Sequence, residues 1–292
     1  MKWFLDVLKG MVIGLANVIP GVSGGTMMVS MGIYDTLIWC INNLFKKFKK
    51  CIVTLLPYGI GMILAIALGA IGLKIAFAEF PLPTNALFIG LILGSLPFIL
   101  KEMKGEKIGW QGILIFVALF ALVVVLKVIE KDNTAVITLD ILTVIKLFFL
   151  GAIASATMVI PGVSGSMILK TLGYYNPIVT GAIPDLLHGV TSGQWGAVGH
   201  SLGILLPFAL GIVFGIFAIA KLIDILLRKW KGWTYCGILG MVVASPVVIL
   251  MDSSIYAGFN VWILIASLVC LAGGVLIALK LGGDPEPVAE KE

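Results

Sequence analysis

Apolar residues run through this chain in stretches longer than a soluble helix or strand requires. Six of them, near 53–78, 84–100, 109–129, 201–226, 234–250 and 261–280, carry charge only near their ends. A bilayer core of about 30 Å is crossed by about 20 residues rising 1.5 Å each, so each stretch predicts one transmembrane helix. Two further regions, 10–45 and 141–184, are equally apolar but interrupted. NVIPGVSGGT at 17–26 and MVIPGVSGSM at 158–167 put Pro-Gly and a run of small residues in mid-segment. Proline removes a backbone donor and glycine loosens the helix. Each region therefore reads as a broken, re-entrant hairpin of two half-helices joined by an irregular link.

The interruption belongs to a longer duplication. Residues 18–38 align without gaps on 159–179, with Gly32 over Gly173 and Tyr34 over Tyr175. Further on, LLPYGIG at 55–61 matches LLPFALG at 205–211, and SLP at 95–97 falls near ASP at 244–246. The expected fold is an all-α polytopic membrane protein of two repeats, 1–140 and 141–281, each one broken hairpin followed by three spans. Three is odd, so the second repeat enters the membrane upside down relative to the first. This inverted topology is typical of secondary transporters, whose sites lie near the midplane where discontinuous helices meet. The polar tail 282–292 is expected to be disordered.

Composition agrees with a bilayer setting: 60% of residues are hydrophobic and 12% charged, against about 25% charged in soluble domains. Asp6 and Lys9 interrupt the first apolar stretch, which therefore reads as mature protein rather than a cleaved signal. The net charge of +5 does not imply a nucleic-acid partner, because the basic residues cluster between spans. If both hairpins turn back, Lys2, Lys9, Lys46, Lys47, Lys49, Lys50, Lys101, Lys104, Lys107, Arg228, Lys229, Lys231 and Lys280 share one side. The positive-inside rule makes that side cytoplasmic and places both termini there. The four cysteines show no metal or disulfide spacing, and no metal or cofactor is expected.

The chemistry lies in the doubled motif. A half-helix that starts after Pro-Gly points N–H groups without intrahelical acceptors into the membrane, and its dipole end favours an anion. Ser23, Gly24, Gly25 and Thr26 in the first copy, with Ser164, Gly165 and Ser166 in the second, are the candidate contacts to a phosphate. The serines add hydroxyl donors and the glycines allow close approach. A plainer account is that Pro-Gly and small residues only kink helices and let them pack closely. Asn17 is a secondary candidate. So is Lys170, which either neutralises the phosphate or snorkels to the outer interface; its twin position holds Val29. Lys221 and Asp224 read as a local ion pair, and 184–200 reads as a plain connector in preference to a lid. No buried carboxylate stands out as a proton carrier.

GVSGG also matches G-x-S-x-G, and GVSG is similar to the G-x-S-G of intramembrane rhomboid proteases. A nucleophile elbow needs a preceding strand, however, and a dyad needs a membrane-embedded histidine. Only His188 and His200 exist, in or at the edge of the segment 185–201.

GLANVIPGVSGGT at 14–26, SMGIYDTLI at 30–38, GLILGSLPF at 90–98 and MVIPGVSGSMIL at 158–169 resemble the hallmark motifs of the bacterial polyprenyl-phosphate transporter family. The resemblance covers the chain to about residue 280. It implies a lipid flippase, not an enzyme, that returns undecaprenyl phosphate from the outer to the inner leaflet for cell-envelope synthesis without consuming ATP. A phosphate held at helix N-termini and alternating access of the two halves fit that role, with coupling to a proton or sodium gradient left open. The competing readings are an intramembrane serine hydrolase and a carrier of small soluble anions.

Overall fold

A computed structural model describes residues 2–18, 24–130, 135, 137–161 and 165–281. Among these residues the secondary structure is helical, with no strand. In chain order the elements are α1 (Lys2–Val18), α2 (Gly24–Ser30), α3 (Tyr34–Asn43), α4 (Phe48–Glu79), α5 (Pro81–Glu102), α6 (Gly109–Val128), α7 (Ile141–Val159) and α8 (Gly165–Thr171). A π-helical segment (Asn176–Ala182) follows, then α9 (Ile183–Ser192), α10 (Trp195–Lys229), α11 (Lys231–Leu250) and α12 (Val261–Leu281).

The six expected spans appear as α4, α5, α6, α10, α11 and α12, each long and apolar enough to cross a membrane. The protein is thus a multi-pass membrane protein. The two interrupted regions appear as α1–α2–α3 and as α7–α8 followed by the π-helical segment and α9. Two boundaries differ from expectation. α4 takes in Lys49 and Lys50, and the stretch 184–200 is helical, as α9 and the start of α10, where a plain connector was expected. Thr191 and Ser192 donate to the carbonyls of Leu187 and His188 at 3.0 and 2.6 Å, so these polar residues are satisfied within the helix. Gly193, at φ 72°, then ends α9. The tail 282–292 lies outside the described residues.

The described residues form two compact units. The larger combines those up to 124, residues 160–161 and those from 220 onward; the smaller combines those of 125–159 and 165–219. In the larger unit α5 and α11 are the inner helices, with about half or more of their residues buried. α6 and α12 are apolar all round, yet bury only Gly112 and Val123, and Ser267, Gly274 and Ala278, respectively. An exposed helix that is apolar on every face belongs against lipid. The smaller unit has its own core around Leu147, Leu150, Leu169, Ile178, Ile204 and Phe208. At the start of α7, Asp140 Oδ1 accepts the Thr143 N–H at 2.7 Å, and hydrogen bonds from Thr143 hold this carboxyl below its ordinary pKa.

Helices in lipid gain little from hydrophobic exclusion and associate by close backbone approach at small residues. A Cβ at Gly10 of α1 would run into the Tyr58 carbonyl of α4, and one at Gly61 of α4 into the Val7 carbonyl of α1. The second half repeats this crossing. Gly151 of α7 meets the Phe208 carbonyl of α10, and Gly211 of α10 meets the Phe148 carbonyl of α7. Likewise Gly90 of α5 abuts the Leu271 carbonyl of α12, and Gly240 of α11 the Phe116 carbonyl of α6. The duplication read from the sequence is therefore also a duplication of helix crossings. In the larger unit Lys231, the first residue of α11, pairs with Glu102, the last of α5, at 3.0 Å.

The short helices α2 and α8 end alike. Gly32 (φ 68°) donates to the Val29 carbonyl while Ile33 donates to Met28, both at 3.0 Å. Gly173 (φ 81°) donates to Lys170 at 2.9 Å while Tyr174 donates to Leu169 at 2.8 Å. Both are Schellman turns, in which a left-handed residue closes the last carbonyls of the helix. Gly32→Ala and Gly173→Ala are each expected to cost about 1 kcal/mol, because a Cβ disfavours that conformation. Thermal unfolding of the purified variants in detergent checks this; an unchanged midpoint for both would contradict the turn assignment.

Candidate functional site

Each copy of the doubled motif yields a seven-residue helix that starts one residue after the serine of PGVSG. In α2 the first-turn residues Gly24, Gly25, Thr26 and Met27 are all buried, and Thr26 has no exposed surface. α2 packs against α1 and α5. In α8, Gly165 and Met167 are buried and Ser166 is half-buried, and the helix packs against α7. Ser23 and Ser164 lie outside the described residues, as does the side chain of Asn17 in the last turn of α1. The described part of each motif is thus a short helix whose first turn is buried in α2 and partly buried in α8. A buried helix start is a place where backbone donors require a partner and a negative charge is favoured.

Lys170 sits in the last turn of α8, and its ammonium lies 5.5 Å from the centroid of the Tyr175 ring. A cation near a helix C-terminus and over an aromatic face is stabilised locally by both. Asp224 accepts a hydrogen bond from Arg228 at 2.9 Å, one turn onward, in place of the Lys221 pairing expected from sequence. His188 and His200 line a small open cavity of the smaller unit together with Asp185, Gln194 and Ser201. Among the described residues no group of His, Cys, Asp and Glu is arranged to hold a metal.

One cluster was not anticipated. Asp35, in the first turn of α3, accepts a hydrogen bond at Oδ2 from the Tyr235 hydroxyl of α11 at 2.7 Å. Its Oδ1 is buried without a hydrogen-bond partner among the described residues, and so is Ser30 Oγ at the end of α2. Buried polar atoms are nearly always paired, so two orphans flanking the α2–α3 turn stand out. The available signal was the alignment of 18–38 with 159–179, which puts Asp35 over the neutral Asn176. The partner, 200 residues away, could not be read from it.

The family described as VCA0040-like, undecaprenyl phosphate translocase-like, matches residues 13–259. A polyprenyl-phosphate transporter of Vibrio cholerae is 31% identical over 260 residues, covering 84% of this chain and 77% of the relative. One of Staphylococcus aureus is 30% identical over 289 residues, covering 96% of each. No solved structure matches.

Proposed function

Since the chain belongs to the undecaprenyl phosphate translocase-like family, we propose that it carries undecaprenyl phosphate from the outer to the inner leaflet of a bacterial inner membrane. It is a transporter and not an enzyme, and its similarity to two polyprenyl-phosphate transporters over most of its length supports that class of substrate. The observation that bears most on mechanism is the pair α2 and α8. Two seven-residue helices, each following a Pro-Gly break and closed by the same Schellman turn, start inside the protein.

The phosphate is the part of the lipid that resists crossing hydrocarbon; the prenyl tail can remain in the bilayer. Ser23, Gly24, Gly25 and Thr26, with Ser164, Gly165 and Ser166, supply donors to the phosphate oxygens, one set from each repeat. The repeats are inverted. This is supported by α5 and its counterpart α11, which meet end to start through Glu102 and Lys231. It is also supported by the basic residues Lys101, Lys104, Lys107, Arg228, Lys229 and Lys231, which flank that junction. The positive-inside rule makes it cytoplasmic and places both termini on the same side. Rocking of the inverted halves would then expose the site to each leaflet in turn.

The test is movement of labelled undecaprenyl phosphate into the inner leaflet of vesicles containing the purified protein. Movement no faster than in protein-free vesicles would sink the proposal. Ser23→Ala and Ser164→Ala are each expected to slow it by about tenfold, the loss of one charge-assisted hydrogen bond. A serine hydrolase would instead lose all activity with one serine and none with the other.

A further inference from the structure

The Asp35–Tyr235 pair has no part in holding a phosphate at α2, yet it places an ionisable group inside the larger unit. α3 starts where α2 ends: the Ile33 N–H that closes α2 lies two residues before Asp35. The groups facing the carboxyl are few. α11 contributes the Tyr235 hydroxyl at 2.7 Å and Lys231. α5 contributes Glu102, and α3 itself contributes Tyr34, which is 4% exposed. α2, with the sequence GGTMMVS, has no titratable side chain. α4 presents Lys50 to Trp39, a turn further along α3. Lys231, the cation that acts on Asp35, is itself paired to Glu102 at 3.0 Å and lies 5.8 Å from the centroid of the Tyr235 ring.

Asp35 is half-buried, but a carboxylate whose Oδ1 is closed off from solvent without a partner is a costly arrangement, and one proton relieves it. The added proton sits on Oδ1, while Oδ2 still accepts the Tyr235 hydroxyl. The twin of Asp35 is Asn176, which is neutral and exposed, so the feature belongs to one repeat only.

We propose that Asp35 is the proton-binding group through which a proton gradient drives transport, taking up one proton from the outer side at Oδ1 and releasing it to the cytoplasm. The inference rests on the transporter reading. Linkage gives the sense of coupling. Asp35 stands at the far end of α2, a helix about 10 Å long, from the end assigned to the phosphate. A carboxylate there opposes a second anion and a neutral carboxyl does not, so proton and phosphate bind each other's form more tightly. Headgroup and proton therefore move in the same direction. Tyr235 is a positioning residue, whose hydroxyl stabilises the charged form and sets the pH at which the proton leaves.

Two measurements test this. In vesicles, acidifying the outside by one pH unit should speed inward movement of undecaprenyl phosphate by up to about tenfold for the unaltered protein. Asp35→Asn should still exchange the lipid but ignore the gradient. An equal response of both proteins overturns the proposal. The second readout does not depend on transport. The infrared carbonyl band of a protonated carboxyl should titrate away as pH rises, be missing from Asp35→Asn, and persist to about one pH unit higher in Tyr235→Phe. If the unaltered protein moves no lipid, the transporter reading fails, and this band alone decides whether Asp35 takes up a proton. A spectrum unchanged by Asp35→Asn overturns the proposal whatever the vesicles show.

Discussion

Gly211→Val is expected to leave little folded protein. The Cβ alone would collide with the Phe148 carbonyl of α7, and its other near neighbours are also backbone atoms of Phe148. No side chain can rotate away to make room, so α7 and α10 must separate. Overfilling a packed site typically costs about 1–3 kcal/mol. Here the loss extends along the crossing, because Gly151 and Gly215 meet the Phe208 and Ala152 carbonyls in the same way, and more than about 4 kcal/mol is expected. Gly61→Val should behave alike, since its Cβ would meet the Val7 carbonyl. Gly59→Ala and Gly199→Ala are the contrast: a Cβ at either position has nothing within 4 Å, and replacing glycine in a helix should stabilise by up to about 1 kcal/mol. Yield of monodisperse protein in detergent, with the midpoint of thermal unfolding, distinguishes the two groups. Recovery of Gly211→Val at normal yield and midpoint would contradict the backbone crossing.

Ser23→Asp and Ser164→Asp should have the largest effect on activity while leaving the fold intact. Each serine immediately precedes a short helix in the sequence, and aspartate is as good as serine before a helix start. Its negative charge also suits the helix dipole, so α2 or α8 should not weaken. The same carboxylate would occupy the donors meant for the phosphate and repel it. Loss of a charge-assisted contact together with like-charge repulsion in a low-dielectric site implies at least about a hundredfold fall in transport. The vesicle assay checks the fall, and an unchanged unfolding midpoint checks the fold. If both variants transport normally, the phosphate is held elsewhere.

Much of the architecture was legible because it is written in local chemistry. A span is about 20 apolar residues whatever surrounds it, so the six spans appear close to where the pattern placed them; of the two Pro-Gly links, only Pro161 lies within the described residues. The duplication was legible as well: Gly32 over Gly173 became two matching Schellman turns. Expectation failed where satisfaction is not visible in composition. The polar stretch 184–200 read as a connector, but Thr191 and Ser192 return their hydroxyls to their own helix. Asp224 found Arg228 in place of Lys221 because the side chains choose the better of two helical spacings.

What the sequence determined by itself, then, is the membrane setting, the number of spans, the broken helices and their repetition, each of which depends on neighbours within a few turns. Tertiary structure alone decided which glycines touch backbone and that Asp35 is held on Tyr235 with its Oδ1 closed off from solvent. Desolvation and close approach depend on groups brought together from far apart in the chain. One aspartate beside a tyrosine in a linear string carries no sign of whether water or protein will surround it.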